Sequence, residues 1–207
     1  MLNIAVLVSG GGTNLQALID AQKNGIIKNG RIVRVISSRE GVYALERAKQ
    51  NGIETRVVAR KNYKNPDEFD RALLAELKAA NTDLVVLAGF LSILGDAVLN
   101  EYENRIINVH PSLIPSFCGP GFYGLRVHEE ALKYGVKVTG ATVHFVNKVV
   151  DGGAIIAQKA VEVKEGDTPE ILQRRVMEQA EWVLLPRAVA LFCEGRIKVK
   201  DGKTIIV

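Results

Sequence analysis

The sequence predicts an α/β fold in which a doubly wound, mainly parallel sheet is followed by an antiparallel extension and a long C-terminal helix. Through residue 110, short apolar runs alternate with amphipathic helical patterns, which is typical of right-handed βαβ units. Beyond that point, two longer strand-like stretches flank Asp151-Gly152-Gly153, a pattern that indicates a hairpin. The sequence Thr168-Pro169-Glu170 then predicts the start of the long helix.

The strands of the parallel sheet are predicted by apolar and β-branched runs. Runs such as IAVLV and LVVLA are continuously apolar, because a strand covered by helices is buried on both faces. The predicted strands are 3–9, 32–37, 54–58, 84–88 and 106–110.

Helical patterns occupy the intervals between these strands, at 14–24, at 43–51 and from residue 65 onward. In the third pattern, Phe69, Leu73 and Leu77 share one apolar face. The preceding Asn65-Pro66-Asp67-Glu68 predicts a helix start, since it combines a capping Asn, a proline at the first helical position and acidic residues in the first turn.

The second half of the chain begins with a Pro/Gly-rich loop at 111–124, which precedes the hairpin strands 138–146 and 154–163. The long helix extends to about Cys193, and Pro186 within it predicts a kink. A small terminal hairpin is predicted from 197–200 and 204–207. His128 lies near a predicted helix start, where we expect an exposed side chain.

Composition excludes several classes of protein. With 207 residues, 47% hydrophobic and 24% charged, the chain can bury a single core, and we expect one domain over 1–207. Its two cysteines are far apart, which argues against a disulfide framework or a zinc site. The longest apolar run, 84–91, is far shorter than the roughly 20 residues of a membrane span, and the N-terminus lacks a signal-peptide pattern. We therefore expect a cytoplasmic protein.

The charge pattern favours small anionic ligands over nucleic acid. The formal net charge is +4, but the basic residues are scattered among acids and only 6% of residues are aromatic. A nucleic-acid surface requires clustered cations and stacking rings. Phosphorylated small molecules therefore fit the composition better.

A glycine-rich segment, Ser9-Gly10-Gly11-Gly12-Thr13-Asn14, links the first predicted strand to the first predicted helix. Glycines allow close backbone approach, and the free N–H groups and dipole of a helix start favour an anion such as phosphate. The segment has neither the GxGxxG nor the Walker A spacing. It predicts a phosphate site, with a strand-to-helix turn capped by Thr13 or Asn14 as the alternative.

Asn108 and His110 end the fifth predicted strand. Because side chains alternate along a strand, the two point to the same side, at the carboxyl end where open α/β sheets bind ligands. An amide N–H can donate to a developing oxyanion, and an imidazole can supply or remove a proton. No nucleophile motif accompanies them. The pair therefore suits direct acyl transfer, with a water-exposed strand end as the alternative.

Two further residues are candidates for the same site. By itself, Asp151 before two glycines indicates a turn. A carboxylate facing His110 favours the imidazolium form and raises the pKa of the ring. His144 shares a strand face with Thr142 and is a candidate for supporting this site.

Four segments resemble the phosphoribosylglycinamide formyltransferase family of the folate-dependent formyltransferase superfamily. They are SGGGTNLQ, LAGFLSIL, NVHPSLIP, and TGATVHFV followed by DGG, and they occur in family order along nearly the whole chain. The resemblance implies a Rossmann-like formyltransferase fold and transfer of the formyl group of 10-formyltetrahydrofolate to the amine of glycinamide ribonucleotide. It implies no metal. We expect the domain to consist of a phosphate-binding half, 1–110, and a folate-binding and catalytic half, 111–207.

The resemblance also implies residue roles. Asn108 holds the formyl oxygen as it becomes an oxyanion, His110 donates a proton, and Asp151 keeps His110 charged. The family's substrate contacts match Gly12, Thr13 and Asn14 for the phosphate and Glu181 for the ribose. The folate pocket corresponds to Leu91, Ser92, Ile93 and Leu94, with Asn108, Val149 and Val150.

Some features of the chain depart from the family pattern and leave alternatives open. The family often has arginines where this chain has Pro66 and Ser92, and the loop at 116–126 is longer here. Arg126 and Lys64 are candidates to replace the missing cations. Other formyltransferases, such as those acting on a sugar-nucleotide amine, remain alternatives, as does a non-catalytic nucleotide-binding module. The deformylase branch usually has HHS where this chain has HPS. We expect a monomer or a weak homodimer that binds small molecules, and neither nucleic acid nor a membrane.

Overall fold

Strands and helices alternate along the chain in a computed structural model that describes residues 1–207. The strands are β1 (Leu2–Val8), β2 (Gly30–Ser37), β3 (Glu54–Val57), β4 (Leu84–Leu87), β5 (Ile106–His110), β6 (Val138–Phe145), β7 (Ile155–Glu162), β8 (Ile197–Lys200) and β9 (Lys203–Ile206). The helices are α1 (Thr13–Lys23), α2 (Tyr43–Gln50), α3 (Pro66–Ala79), α4 (Asp96–Glu101), α5 (Leu125–Tyr134), α6 (Pro169–Val176) and α7 (Trp182–Cys193).

The first seven strands form one sheet in the order β3-β2-β1-β4-β5-β6-β7. All contacts from β3 to β5 are parallel, whereas β6 and β7 add to the sheet in antiparallel orientation. Strands β8 and β9 form a separate hairpin. The doubly wound, mainly parallel sheet and its antiparallel extension are thus confirmed.

The sheet is covered on both faces, which explains its continuously apolar strands. One core cluster joins side chains of the sheet such as Ile4 and Val6 to α1, α2 and the C-terminal helices. On the opposite face, Ala5 and Leu7 pack with Phe69 and Leu73 of α3. Successive residues of β1 therefore enter different cores, as the alternation of side chains along a strand requires.

The long C-terminal helix is continuous from Pro169 to Cys193 but changes geometry within its length. A π-helical turn, Met177–Glu181, separates α6 from α7. The helix continues through Pro186, and the irregularity lies before this residue instead of at the predicted position. A π-turn widens the helix locally, and such turns often occur at functional sites. None of the helices has the length and apolar character needed to cross a bilayer.

Helix α4 was not predicted from sequence, because the group that stabilises its start is distant in the chain. The buried carboxylate of Asp70, on α3, accepts hydrogen bonds from the backbone N–H groups of Gly95, Ala97 and Val98 at 2.7–3.1 Å. Unpaired N–H groups at a helix start normally need such an acceptor. This contact also fixes the end of the segment that follows β4.

Candidate active site

A cavity of about 400 Å³ lies at the carboxyl ends of β4 and β5. Its wall combines the segment after β4, the end of β5, the loop before α5, the turn after β6 and the inner side of α6 and the π-turn. Ligands of open α/β sheets bind at this edge. Residues from both 1–110 and 111–207 line the cavity. The boundary between the expected phosphate-binding half and the expected folate-binding and catalytic half therefore passes through the site.

Asn108 lines the cavity and is oriented by the neighbouring strand. In the antiparallel register of β5 and β6 it lies opposite His144, and its Nδ2 is 3.2 Å from Nε2 of that ring. Nδ1 of His144 donates to the backbone oxygen of Phe145 at 2.7 Å. In the neutral ring, Nε2 is then the acceptor, which fixes one N–H of the Asn108 amide and leaves the second free to donate into the cavity.

His110 is buried at the end of β5, with an acceptor near each ring nitrogen. Nε2 donates to the backbone oxygen of Phe117 at 2.8 Å, and Nδ1 lies 3.6 Å from Oδ2 of Asp151. Burial lowers the pKa of His110, while the charge of Asp151 and the Phe117 hydrogen bond oppose this shift. Asp151 therefore acts on the ring in the expected direction, but burial outweighs its effect and the net shift of the His110 pKa is downward.

Asp151 occupies the turn between β6 and β7 and also faces the catalytic candidates. Its backbone is left-handed, with φ of 55°, and its Oδ2 accepts from the N–H of Gly119 at 2.8 Å. Its Oδ1 lies 3.6 Å from Nε2 of His144. Burial favours a higher pKa for Asp151, but the two histidines and the Gly119 N–H together hold the pKa below its ordinary value. The carboxylate is therefore charged and stands between two imidazoles.

Gly153 sets the approach of this turn to β6. A Cβ at this position lies only 1.7 Å from the backbone oxygen of Phe145, closer than any two such atoms can come. The glycine is thus required for the turn to carry Asp151 over the end of β5.

The glycine-rich segment is the strand-to-helix connection that the sequence predicts. Gly12 has φ of 75° and precedes the first residue of α1, with no side-chain cap on the helix. Asn14 lines the cavity, whereas Gly12 and Thr13 do not. Thr13 instead borders a second groove, between α1 and α7. The uncapped N–H groups at this helix start are available to an anion.

Glu181 reaches the same wall from the π-turn. Its Oε2 accepts from Nδ2 of Asn14 at 2.7 Å, across 167 residues of sequence. Burial raises the pKa of Glu181 to about 7, and the Asn14 hydrogen bond opposes this rise. A carboxyl group of this kind can accept from or donate to a hydroxyl group near neutral pH.

The segment after β4 forms the apolar part of the cavity. Leu91, Ser92, Ile93 and Leu94 all line it. The N–H of Leu91 donates to Oγ of Ser9 at 2.9 Å, so both ends of the segment are tied to other elements. Across the cavity Val150 contributes to the wall, but Val149 does not, because its side chain points to solvent and packs against Gly152.

The two basic residues that are candidates to replace the family's arginines lie outside the cavity. Neither Arg126 nor Lys64 lines the cavity, and the guanidinium of Arg126 lies over the ring of Phe122 at 5.9 Å. Lys148 is the one lysine or arginine on the cavity wall, where it pairs with Asp96 at 2.8 Å. No cluster of side chains arranged as metal ligands occurs.

The sequence predicts an exposed His128, but the side chain is fully buried. Helix α5 turns it inward, and the side chain lines the same cavity as His110. Its position depends on how α5 packs against α6, a long-range contact for which the local sequence carries no signal.

Residues 2–189 match the formyl transferase family. The chain belongs to the formyl transferase family. Across 201 residues it is 40% identical to phosphoribosylglycinamide formyltransferase of Escherichia coli, covering 97% of this chain and 92% of that protein. It is also 44% identical, over 99% of its length, to part of the chicken trifunctional purine biosynthetic protein adenosine-3. The chain spans only 20% of that relative.

Solved structures of this formyl transferase family have the same fold. Glycinamide ribonucleotide transformylase 1 from Symbiobacterium toebii superposes with a TM-score of 0.94 at 44% identity, covering 100% of this chain and 94% of that one. The predicted fold class and the family resemblance are therefore both confirmed.

Proposed function

We propose that this protein transfers the formyl group of 10-formyltetrahydrofolate to the amine of glycinamide ribonucleotide in purine biosynthesis. The observation that carries the proposal is the meeting of Asn108, His110 and Asp151 at one end of the cavity, with 3.6 Å between the ring of His110 and the carboxylate. A binding module has no need of an imidazole set against a buried carboxylate. Formyltransferases related to this chain over nearly their whole length support the choice of substrates.

The proposed reaction is a direct attack without a covalent enzyme intermediate. The amine nitrogen attacks the formyl carbon, and the carbonyl electron pair moves to the oxygen to give a tetrahedral oxyanion. The free N–H of the Asn108 amide donates to this oxygen as its charge develops. Donors placed at a developing charge contribute more to the transition state than to the ground state.

His110 completes the reaction as the proton donor. When the tetrahedral intermediate collapses, the bond to N10 of the folate breaks, and N10 takes the electron pair and a proton from the imidazolium. The attacking nitrogen loses one proton, which restores the charged ring. Asp151 favours the charged ring by its negative charge, so we assign it the role of keeping His110 ready to donate.

The two substrates would occupy different parts of the wall. We assign the ribonucleotide to the side of Asn14 and Glu181, with its phosphate at the start of α1 beside Gly12 and Thr13. We assign the folate to the wall formed by Leu91, Ser92, Ile93 and Leu94 and by the turn at Val150. Val149 faces solvent, so we do not assign it a contact with the folate. Apolar walls with a few polar groups are typical of sites for flat heteroaromatic ligands.

A direct assay tests the proposed function. The protein is incubated with 10-formyltetrahydrofolate and one of three acceptors, and release of tetrahydrofolate is followed by absorbance. The acceptors are glycinamide ribonucleotide, an amino-sugar nucleotide and water alone. We expect rapid turnover with the ribonucleotide only. Turnover with the sugar nucleotide assigns the protein to the alternative acceptor, and turnover without any amine assigns it to folate hydrolysis. A cytoplasmic location and a monomeric or weakly dimeric state stay predictions from the sequence.

A further inference from the structure

His128 is a buried polar side chain with no partner in the protein. It is fully buried on α5, it lines the cavity, and neither Nδ1 nor Nε2 has a hydrogen bond. The chain has three histidines, and the other two are well partnered. His110 donates to Phe117, and His144 contacts both Phe145 and Asn108.

An unpartnered ring of this kind lowers the stability of the folded protein. Buried polar groups in native proteins are almost always hydrogen-bonded, and leaving one without a partner costs its full desolvation. An apolar ring of the same size fills the space without this cost. A histidine here therefore indicates a partner that the chain itself does not supply, and groups kept at a cost to stability are common at functional sites.

The protonation state of His128 limits the chemistry of that partner. Burial lowers the pKa of the ring to about 4, and the charge of His110 acts in the same direction. The ring is thus neutral at physiological pH, with one N–H donor and one acceptor nitrogen. A neutral imidazole has no charge to attract a phosphate or a carboxylate. It suits an uncharged group that can both accept and donate, such as a hydroxyl or an amide.

The position of His128 indicates which substrate it meets. Helix α5 packs against α6, and Gln173 of α6 and Glu181 of the π-turn line the same cavity. Oδ1 of Asn14 is a second buried cavity atom without a partner. The cavity therefore has unpaired polar atoms on His128, whose helix packs against α6, and on Asn14, which donates to Glu181 through its other amide atom. The apolar segment at 91–94, assigned to the folate, belongs to a different element.

We propose that His128 is a specificity-determining residue that hydrogen-bonds an uncharged hydroxyl or amide group of the aminoribonucleotide substrate. This inference rests on the proposed function, because it takes glycinamide ribonucleotide as the ligand of this wall. His128 takes no part in the proton transfer itself. Its contribution is to binding, where a site built to pair with a polar group rejects ligands that lack it.

Two substitutions test the proposal. His128→Phe keeps the ring volume and removes both nitrogens, whereas His128→Gln keeps a donor and an acceptor. For the Phe variant, we expect the KM for glycinamide ribonucleotide to rise about ten- to a hundred-fold, with a change of less than about two-fold in the KM for 10-formyltetrahydrofolate. The Gln variant should recover part of this loss. The melting temperature of the Phe variant should equal or exceed that of the wild type, because two unpartnered nitrogens are gone.

The outcomes separate this inference from the proposed function. If the wild-type protein shows no formyl transfer to the ribonucleotide, the proposed function fails. If the wild type is active and the Phe variant has both KM values within about two-fold of wild type, His128 is only a core residue and the inference is overturned. A defect confined to kcat, or to the folate KM, also overturns it. Should the Phe variant not fold, His128→Met removes the same nitrogens with a flexible apolar side chain, and the same kinetic criteria apply.

Discussion

Asp151→Asn removes one negative charge from the candidate site and leaves the shape of the side chain almost unchanged. The left-handed backbone at this position, with φ of 55°, is accessible to Asn as well as to Asp. The Asn oxygen can still accept the N–H of Gly119, which donates to Oδ2 of the wild-type residue at 2.8 Å. The variant therefore tests the charge of Asp151 separately from the shape of the turn.

The size of the effect follows from the distance to His110. Opposite charges 3.6 Å apart attract by roughly 4 kcal/mol at an effective dielectric constant of about 20. About 1.4 kcal/mol corresponds to a ten-fold change in an equilibrium. The charged ring therefore becomes less populated by up to a thousand-fold, and we expect kcat/KM to fall by about 10²- to 10³-fold.

The pH dependence gives the sign of the effect. Burial already lowers the pKa of His110, and the charge of Asp151 opposes this shift. Without that charge the pKa falls further, so the limb on which the rate decreases with rising pH moves to lower pH. The assay is the pH profile of kcat/KM, together with NMR titration of the histidine resonances.

Asp201→Asn is the matched control. Asp201 is exposed, lies in the turn of the terminal β8–β9 hairpin and also has a left-handed backbone, with φ of 51°. The same substitution there should change neither the rate nor the pH profile. The assignment of Asp151 as the charged partner of His110 is refuted if Asp151→Asn keeps the wild-type pH profile. It is also refuted if Asp151→Asn is as active as Asp201→Asn.

Three further predictions concern stability and substrate contacts. Because burial raises the pKa of Glu181 to about 7 from an ordinary 4.5, the folded protein holds a proton there that the unfolded chain releases. Between pH 5 and pH 8, the free energy of unfolding of the wild type, measured by urea titration, should fall by about 2 kcal/mol more than that of Glu181→Gln. If the two free energies change equally with pH, this prediction is contradicted. Gly153→Ala forces a Cβ against the backbone oxygen of Phe145. The substitution should cost at least about 1–3 kcal/mol of folding free energy and lower the activity. An unchanged melting temperature contradicts the close approach of the turn to β6. The folate carries carboxylates, and of Lys148 and Arg126 only Lys148 lines the cavity. Lys148→Ala should therefore raise the KM for the folate, whereas Arg126→Ala should not. Equal effects of the two variants contradict this assignment.

The parts of the fold that depend on local signals were predictable from the sequence. Asn65 caps α3 by accepting from the N–H of Glu68 at 2.9 Å, and Thr168 caps α6 by accepting from Ile171, as both motifs predict. The parallel strands were recognisable because burial on both faces makes them continuously apolar. Asn108 and His110 were found by their position at the end of such a strand.

The remaining features depend on contacts between distant segments. The carboxylate that stabilises the start of α4 comes from Asp70 on α3, and His128 is buried because α5 packs against α6. The carbonyl that holds the ring of His110 belongs to Phe117, in the Pro/Gly-rich loop. The net direction of the His110 pKa also required the structure, because a sequence indicates a neighbouring carboxylate more easily than the degree of burial.

The central claim is that the chain moves a formyl group onto an amine by means of Asn108 and His110. The most direct measurement uses 10-formyltetrahydrofolate labelled with ¹³C in the formyl carbon and detects formylated glycinamide ribonucleotide by mass spectrometry. We expect the wild-type protein to place the label on the ribonucleotide, and Asn108→Ala and His110→Ala each to lower the rate by at least about 10²-fold. A wild-type protein that transfers no label, or a His110→Ala variant that transfers it at the wild-type rate, contradicts the account.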